Sequence, residues 1–157
     1  MFQSEMVAIV DDDPLAREGI RELVESLGYK ARAFVSAQDF LQSGAIARTG
    51  CLITDLQMPG LNGLELQERL QTLGYGTPVI LITAYPNEKH RSRALSAGAI
   101  GFLSKPFEEQ SLVECLTVAM MRRFPQRIAA PDQLNQSIVS QSKRISPPLI
   151  DAAINGD

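Results

Sequence analysis

No stretch of this sequence is apolar enough to cross a membrane as a helix. The longest uninterrupted runs fall far short of the roughly 18 residues that a span requires. The N-terminus lacks the basic-then-apolar pattern of a secretion signal. There is no basic cluster, and the net charge is −3, which argues against a nucleic-acid surface on this piece. Cysteine is scarce: Cys51 and Cys115 are the only two. They fall in a predicted strand and a predicted helix, where they read as small buried hydrophobes and not as a disulfide or metal pair. Histidine is scarcer still, with His90 alone among Glu88, Lys89 and Arg91, which reads as a solvated helix face. These absences predict a soluble protein of a reducing, cytoplasmic compartment, with neither membrane nor nucleic acid as a direct partner.

What is present is an ordinary globular composition, 45% hydrophobic over 157 residues. That is enough for one domain with a short appendage. The stretch Cys51-Leu52-Ile53-Thr54-Asp55-Leu56-Gln57-Met58-Pro59-Gly60 organises the rest. It opens as an apolar or β-branched run and closes in a Pro-Gly turn, the pattern of a buried parallel strand. A lone carboxylate on the inner course of such a strand is costly to desolvate. At the strand's C-terminal end the cost falls, and open α/β sheets place their ligands there. Asp55 is therefore a candidate for chemistry.

Taken in order, the chain alternates strand and helix. Met6–Val10 is an apolar strand. Asp13 caps the helix that follows, with Pro14 at its first position, Leu15, Ile20, Leu23, Val24 and Leu27 at helical spacing, and Gly28 closing it. Residues Lys30 to Val35 form a half-exposed edge strand. Ser36 and Asp39 open a short helix in the manner of a capping box, and Ser43 to Gly50 is a loop. After the central strand, Asn62 caps a helix carrying Leu64, Leu66, Leu70 and Leu73 as core. Val79–Thr83 is a strand, Pro86 to Ala97 a weakly amphipathic helix, and Ile100 to Leu103 a strand. A last helix runs from Glu108 to Phe124, with Leu112, Leu116, Ala119 and Met120 inward. Five such units imply an α/β fold: a parallel sheet with helices on both faces and right-handed connections.

Polar residues stand at the C-terminal ends of the strands: Asp11 and Asp12, Asp55, Thr83, and Lys105. In a doubly wound sheet these ends share one edge. Three neighbouring carboxylates repel unless a cation or shifted pKa values relieve them. Hard oxygen ligands suit Mg²⁺, which also binds phosphate oxygens. Lys105 offers a point charge and Thr83 a hydroxyl. The set fits phosphoryl transfer, where positioning and charge neutralisation supply most of the catalysis.

The runs Ile9-Val10-Asp11-Asp12-Asp13, Thr54-Asp55-Leu56-Gln57-Met58-Pro59-Gly60 with Gly63 beyond, Thr83-Ala84 and Lys105-Pro106-Phe107 together resemble the receiver domain of two-component response regulators. Phe34 to Phe40, the Asp-Leu-Gln-Met-Pro-Gly run and Ala97-Gly98-Ala99 through Phe107 look most like the FixJ type. The resemblance covers roughly residues 5–124. It implies a flavodoxin-like (βα)₅ fold with strand order 2-1-3-4-5. It also implies that Asp55 is the phosphoacceptor, taking its phosphoryl group from a sensor histidine kinase. Asp12 would bind Mg²⁺ directly, Asp11 would bind it through water or orient Asp12, and Asp55 and the Gln57 backbone carbonyl would complete the ligands. Thr83 and Lys105 would contact the phosphoryl oxygens. Thr83 would move on phosphorylation and let Phe102 turn inward. The face of the fourth helix, fifth strand and fifth helix would then be read by a partner or by a second copy in a homodimer.

The alternatives are a Mg²⁺-dependent phosphohydrolase, a receiver that has lost phosphorylation, and a stand-alone receiver acting by protein contact or as a phosphate shuttle. The hydrolase would place a second Asp two residues after its nucleophile, and Gln57 stands there. Loss of a site residue would favour the second, and none is lost. Residues 1–124 are thus expected to be a receiver acting in a phosphorelay that regulates transcription through an output domain. From Pro125 the chain turns rich in Pro, Gln, Ser and Asn, and 125–157 reads as a linker or tail with no recognisable output domain.

Overall fold

The computed structural model describes residues 5–123. Strands and helices alternate along them as β1 (Met6–Val10), α1 (Pro14–Ser26), β2 (Ala31–Phe34), α2 (Ala37–Gln42), β3 (Thr49–Asp55), α3 (Gly63–Thr72), β4 (Val79–Thr83), α4 (Glu88–Ser96), β5 (Gly101–Ser104) and α5 (Glu109–Arg123). Every pairing is parallel, and the strand order is β2-β1-β3-β4-β5. This is the doubly wound sheet that the five strand-helix units predict, in the flavodoxin-like order that the family resemblance implies. The tail expected over 125–157 lies outside the described residues.

The inner strands are apolar throughout because both faces are covered. Successive residues point to opposite sides of the sheet. Ala8, Val10, Leu52, Val79 and Leu81 join one core with Phe40, Leu64, Leu66, Leu70 and Ala94. Val7, Ile9, Cys51, Ile53, Ile80 and Ile82 join the other with Ile20, Val24, Leu112, Leu116 and Ala119. Burying a Val, Leu or Ile side chain contributes about 1.5–3 kcal/mol, so these two layers hold the strand ends in register.

Helix starts are set by side chains that occupy orphaned N–H groups. Asp13 Oδ1 accepts from Leu15 N–H at 3.3 Å and Ser36 Oγ from Asp39 N–H at 3.0 Å. Asn62 and Glu65 form a full reciprocal capping box. Asn87 caps α4 by accepting from His90 N–H, so that helix starts at Glu88, two residues later than its sequence pattern suggests.

Several expectations are corrected. The loop over Ser43 to Gly50 contains a 3-10 turn at Ile46–Arg48, and β3 begins at Thr49. Thr49 enters the strand because its hydroxyl donates to the Ala45 carbonyl at 2.8 Å, which satisfies a polar residue in a buried place. Leu15 is not core: it is 85% exposed, because it lies in the first turn of α1, at the sheet rim. Leu73 is 54% exposed as the C-cap of α3, beyond the last turn that faces the sheet. The cysteines are free, as expected, and burial pushes the Cys115 thiol up to about 11 and the Cys51 thiol further.

Gly63 fixes where α3 meets β3. A Cβ there would lie 2.6 Å from the Asp55 carbonyl oxygen and 2.7 Å from Leu81 Cδ2, the first of them backbone. Gly63→Ala is expected to lower stability by about 1–3 kcal/mol, the range typical of overpacking, read as a lower urea midpoint. An unchanged midpoint would mean that α3 can back away from the strand end without loss.

Candidate functional site

The C-terminal ends of β1, β3, β4 and β5 meet at one edge of the sheet, and each brings one polar residue or pair. Asp11 follows β1 and is 1% exposed; Asp55 ends β3 and is 8% exposed. Asp12 is exposed. Carboxylate oxygens of these three residues lie within 4.8 Å of one another. Lys105, just past β5, reaches back across the edge. Its Nζ donates to Asp11 Oδ2 at 3.0 Å and lies 3.2 Å from Asp55 Oδ1. The Lys105-Pro106 peptide bond is cis.

The loop carrying the first two acids is fixed from within. Asp13 N–H donates to Asp11 Oδ1 at 3.0 Å, and Arg17 Nη1 donates to the Asp11 carbonyl at 2.8 Å. Arg17 was not legible as a site residue. Its only sequence signal is an arginine one helical turn beyond the Asp13 cap.

Charge in the corner is unbalanced. Three carboxylates against one ammonium leave two negative charges. Burial pushes the Asp55 carboxyl up, and the Asp11 carboxylate adds to it; Lys105 pulls the other way without cancelling them. For Lys105, burial pulls the ammonium down, but the bond and charge of Asp11, with Asp55 behind, outweigh it and leave its pKa raised. Oxygen donors from two buried carboxylates and one exposed one fit a hard divalent cation, and the exposed side leaves room for its waters.

Thr83 and Phe102 lie toward the α4 side. Thr83 follows Leu81 by two residues, and Phe102 sits opposite Leu81 in the register. Phe102 is half-buried and, like Leu95, packs on the core that includes Ala94. Thr83 Oγ1 is engaged by Gln57, donating to Gln57 Oε1 at 2.6 Å, and it accepts from Tyr85 N–H at 3.0 Å. The Gln57 side chain therefore joins the site, where the sequence suggested only its backbone. His90 is corrected as well. It is not fully solvated but lines a cleft of about 440 Å³ with Leu56, Gln57, Met58, Pro59 and Asn62, because the first turn of α4 lies beside the β3–α3 loop.

Residues 7–117 match the family model described as the response regulator receiver domain. The chain belongs to this family. The receiver is 37% identical over 144 residues to the response regulator protein TmoT of Ectopseudomonas mendocina, covering 90% of this chain and 66% of TmoT. It is 31% identical over 158 residues to the transcriptional regulatory protein FixJ of Azorhizobium caulinodans, covering 99% of this chain and 74% of FixJ. Among solved structures, the response regulator StyR superposes with a TM-score of 0.72 at 37% identity, over 90% of this chain and 69% of that one. The chain thus spans about two thirds of the length of TmoT. It is a signalling module of two-component systems and not an enzyme of the ordinary kind. No helix among the described residues is long and apolar enough to cross a membrane.

The raised Asp55 carboxyl has a consequence for stability. Above the ordinary value of 3.8 the unfolded carboxyl ionises freely while the folded one resists, so the folded state loses stability as pH rises through that window. Asp55→Asn is expected to raise the melting temperature at pH 7 without divalent cation by several degrees, the shift that about 1 kcal/mol produces in a domain of this size. The gain should shrink toward zero below about pH 3.8. A lower melting temperature at pH 7 would mean that the contact with Lys105 outweighs burial and Asp11.

Proposed function

We propose that this receiver accepts a phosphoryl group on Asp55 from the phosphohistidine of a sensor kinase. The observation that carries the reading is the ion pairing of Lys105 with both Asp11 and Asp55 at the solvent-facing strand ends. One Asp55 carboxylate oxygen attacks phosphorus, the bond from phosphorus to the kinase imidazole breaks, and the imidazole leaves with that electron pair and takes up a proton. The product is an aspartyl phosphate. Lys105 Nζ neutralises charge on the transferred group, and Thr83 Oγ1 donates to one of its oxygens. Asp11, Asp12, Asp55 and the Gln57 backbone carbonyl would hold Mg²⁺, which supplies a Lewis acid to the phosphoryl oxygens when bound. The two uncompensated negative charges and the all-oxygen donor set support that ion.

Thr83 then moves toward the phosphoryl group, Phe102 turns inward, and the face formed by α4, β5 and α5 changes. That face is proposed to pair with a second copy; the exposure of Val118 and Met121 on α5 supports an apolar contact there. Residues 1–124 are the receiver in this reading and 125–157 a linker or tail. The name of FixJ, a transcriptional regulatory protein, supports transcriptional control through an output domain. A kinase donor and free thiols both suit the cytoplasm.

Incubation with Mg²⁺ and acetyl phosphate, followed by intact mass, tests the transfer. One phosphoryl adduct is expected on the parent and none on Asp55→Asn. Steady release of phosphate from unrelated monoesters would instead mark a hydrolase, and no adduct with any donor would mark a receiver that works by binding alone.

Asp12→Ala is expected to weaken Mg²⁺ affinity by at least about tenfold, or about 1.4 kcal/mol, by calorimetric titration. Unchanged affinity would remove Asp12 from the ligand set.

A further inference from the structure

The Thr83 hydroxyl has a single proton, and Gln57 Oε1 holds it at 2.6 Å. The acceptor side of the hydroxyl is also taken, by Tyr85 N–H. A phosphoryl oxygen on Asp55 could be reached only with that same proton. Gln57 and the phosphoryl group are therefore competitors for Thr83. A hydrogen bond to an anionic oxygen is roughly twice as strong as a neutral one, so the phosphoryl group wins and Gln57 is released.

The released amide has a second partner within the same cleft. His90 lines that cleft beside Gln57, and its Nδ1 is shut off from solvent without a hydrogen-bond partner. Of the other polar side chain of the cleft, Asn62, the oxygen is held by Glu65 N–H. A buried ring nitrogen left unpaired is costly. A primary amide carries both a donor and an acceptor, so it can satisfy Nδ1 whichever tautomer the imidazole adopts.

We propose that the Gln57 side chain is a two-position latch, holding the Thr83 hydroxyl while Asp55 is a free carboxylate and pairing with His90 Nδ1 once Asp55 is phosphorylated. This rests on the phosphoacceptor reading above and adds to it a route from Asp55 to α4. The route ends where α4 is least restrained. Bonds from α3 fasten its C-terminal half: Gln67 Nε2 donates to the Ala94 carbonyl at 3.2 Å, Gln71 Nε2 to the Ala97 carbonyl, and Glu68 pairs with Arg93 at 2.6 Å. Among the described residues no such bond from α3 reaches the first turn, Glu88 to Arg91. The latch would tie that turn to the β3–α3 loop only in the phosphorylated protein.

His90 is the only histidine, so its imidazole nitrogens give isolated ¹⁵N signals. The experiment compares the parent with Gln57→Met, which keeps the backbone carbonyl and the side-chain length but loses the amide. Beryllofluoride with Mg²⁺ serves as the mimic of the phosphorylated aspartate. Two results are expected. Without the mimic, the Tyr85 amide shifts in Gln57→Met relative to the parent, because the Thr83 hydroxyl has lost its acceptor. With the mimic, the His90 Nδ1 signal shifts in the parent and stays in place in Gln57→Met. A parent whose Asp55 and Lys105 signals respond to the mimic while His90 Nδ1 does not overturns the latch alone. An equal His90 shift in Gln57→Met also overturns it. A parent with no response at Asp55 or Lys105 overturns the phosphoacceptor reading and the latch together.

Discussion

Lys105 holds three strands' worth of charge together at one point. In the order β2-β1-β3-β4-β5, β4 separates β5 from β3, and β1 lies beyond β3. The lysine side chain nevertheless spans that distance and meets Asp11 and Asp55 at once. Without that ammonium, two buried carboxylates would face each other at a strand edge where desolvation already raises the Asp55 carboxyl. One ammonium between two acids is enough to let the fold form and too little to neutralise it. The corner is left with an appetite for further positive charge, which a hard divalent cation would meet.

The remainder of the fold serves to hold those ends still. Two apolar layers, one on each side of the sheet, leave the strands no polar residue to bury except at their ends and at Thr49 and Thr54. Both threonines donate to nearby backbone carbonyls. Gly63 lets α3 come close enough to touch the Asp55 backbone, so the helix after Asp55 is packed against it without a side chain between. Precision at the site comes from packing density, and the reactive groups themselves contribute little of it.

The α4 side is built differently. Only Ala94 of that helix is fully buried, and its attachment to α3 depends on amide and ion-pair contacts concentrated in its second half. Elements with few apolar contacts open at low cost. Thr83 bonds Gln57, Gln57 shares a cleft with His90 of this helix, and Phe102 packs on the core that holds Ala94.

Much of this was determined by sequence alone. Period-two and period-3.6 patterns are local, and so are helix caps; they fixed the strand-helix alternation, the Asp13, Ser36 and Asn62 starts, and the placing of Asp11, Asp12, Asp55, Thr83 and Lys105 at strand ends. The family motifs supplied the strand order. Local pattern failed where an element's end overhangs its neighbour, as at Leu15 and Leu73, and where a hydroxyl's bond to a backbone carbonyl let a strand begin early, as at Thr49. It was silent on pairings between residues far apart in the chain. Lys105 and Asp11 are 94 residues apart, Thr83 and Gln57 are 26 apart. Which acid shares the lysine, which acceptor holds the Thr83 proton and which cleft takes His90 depend on how strands and helices are stacked, because a hydrogen bond requires atoms within about 3 Å and only the packed sheet brings them there.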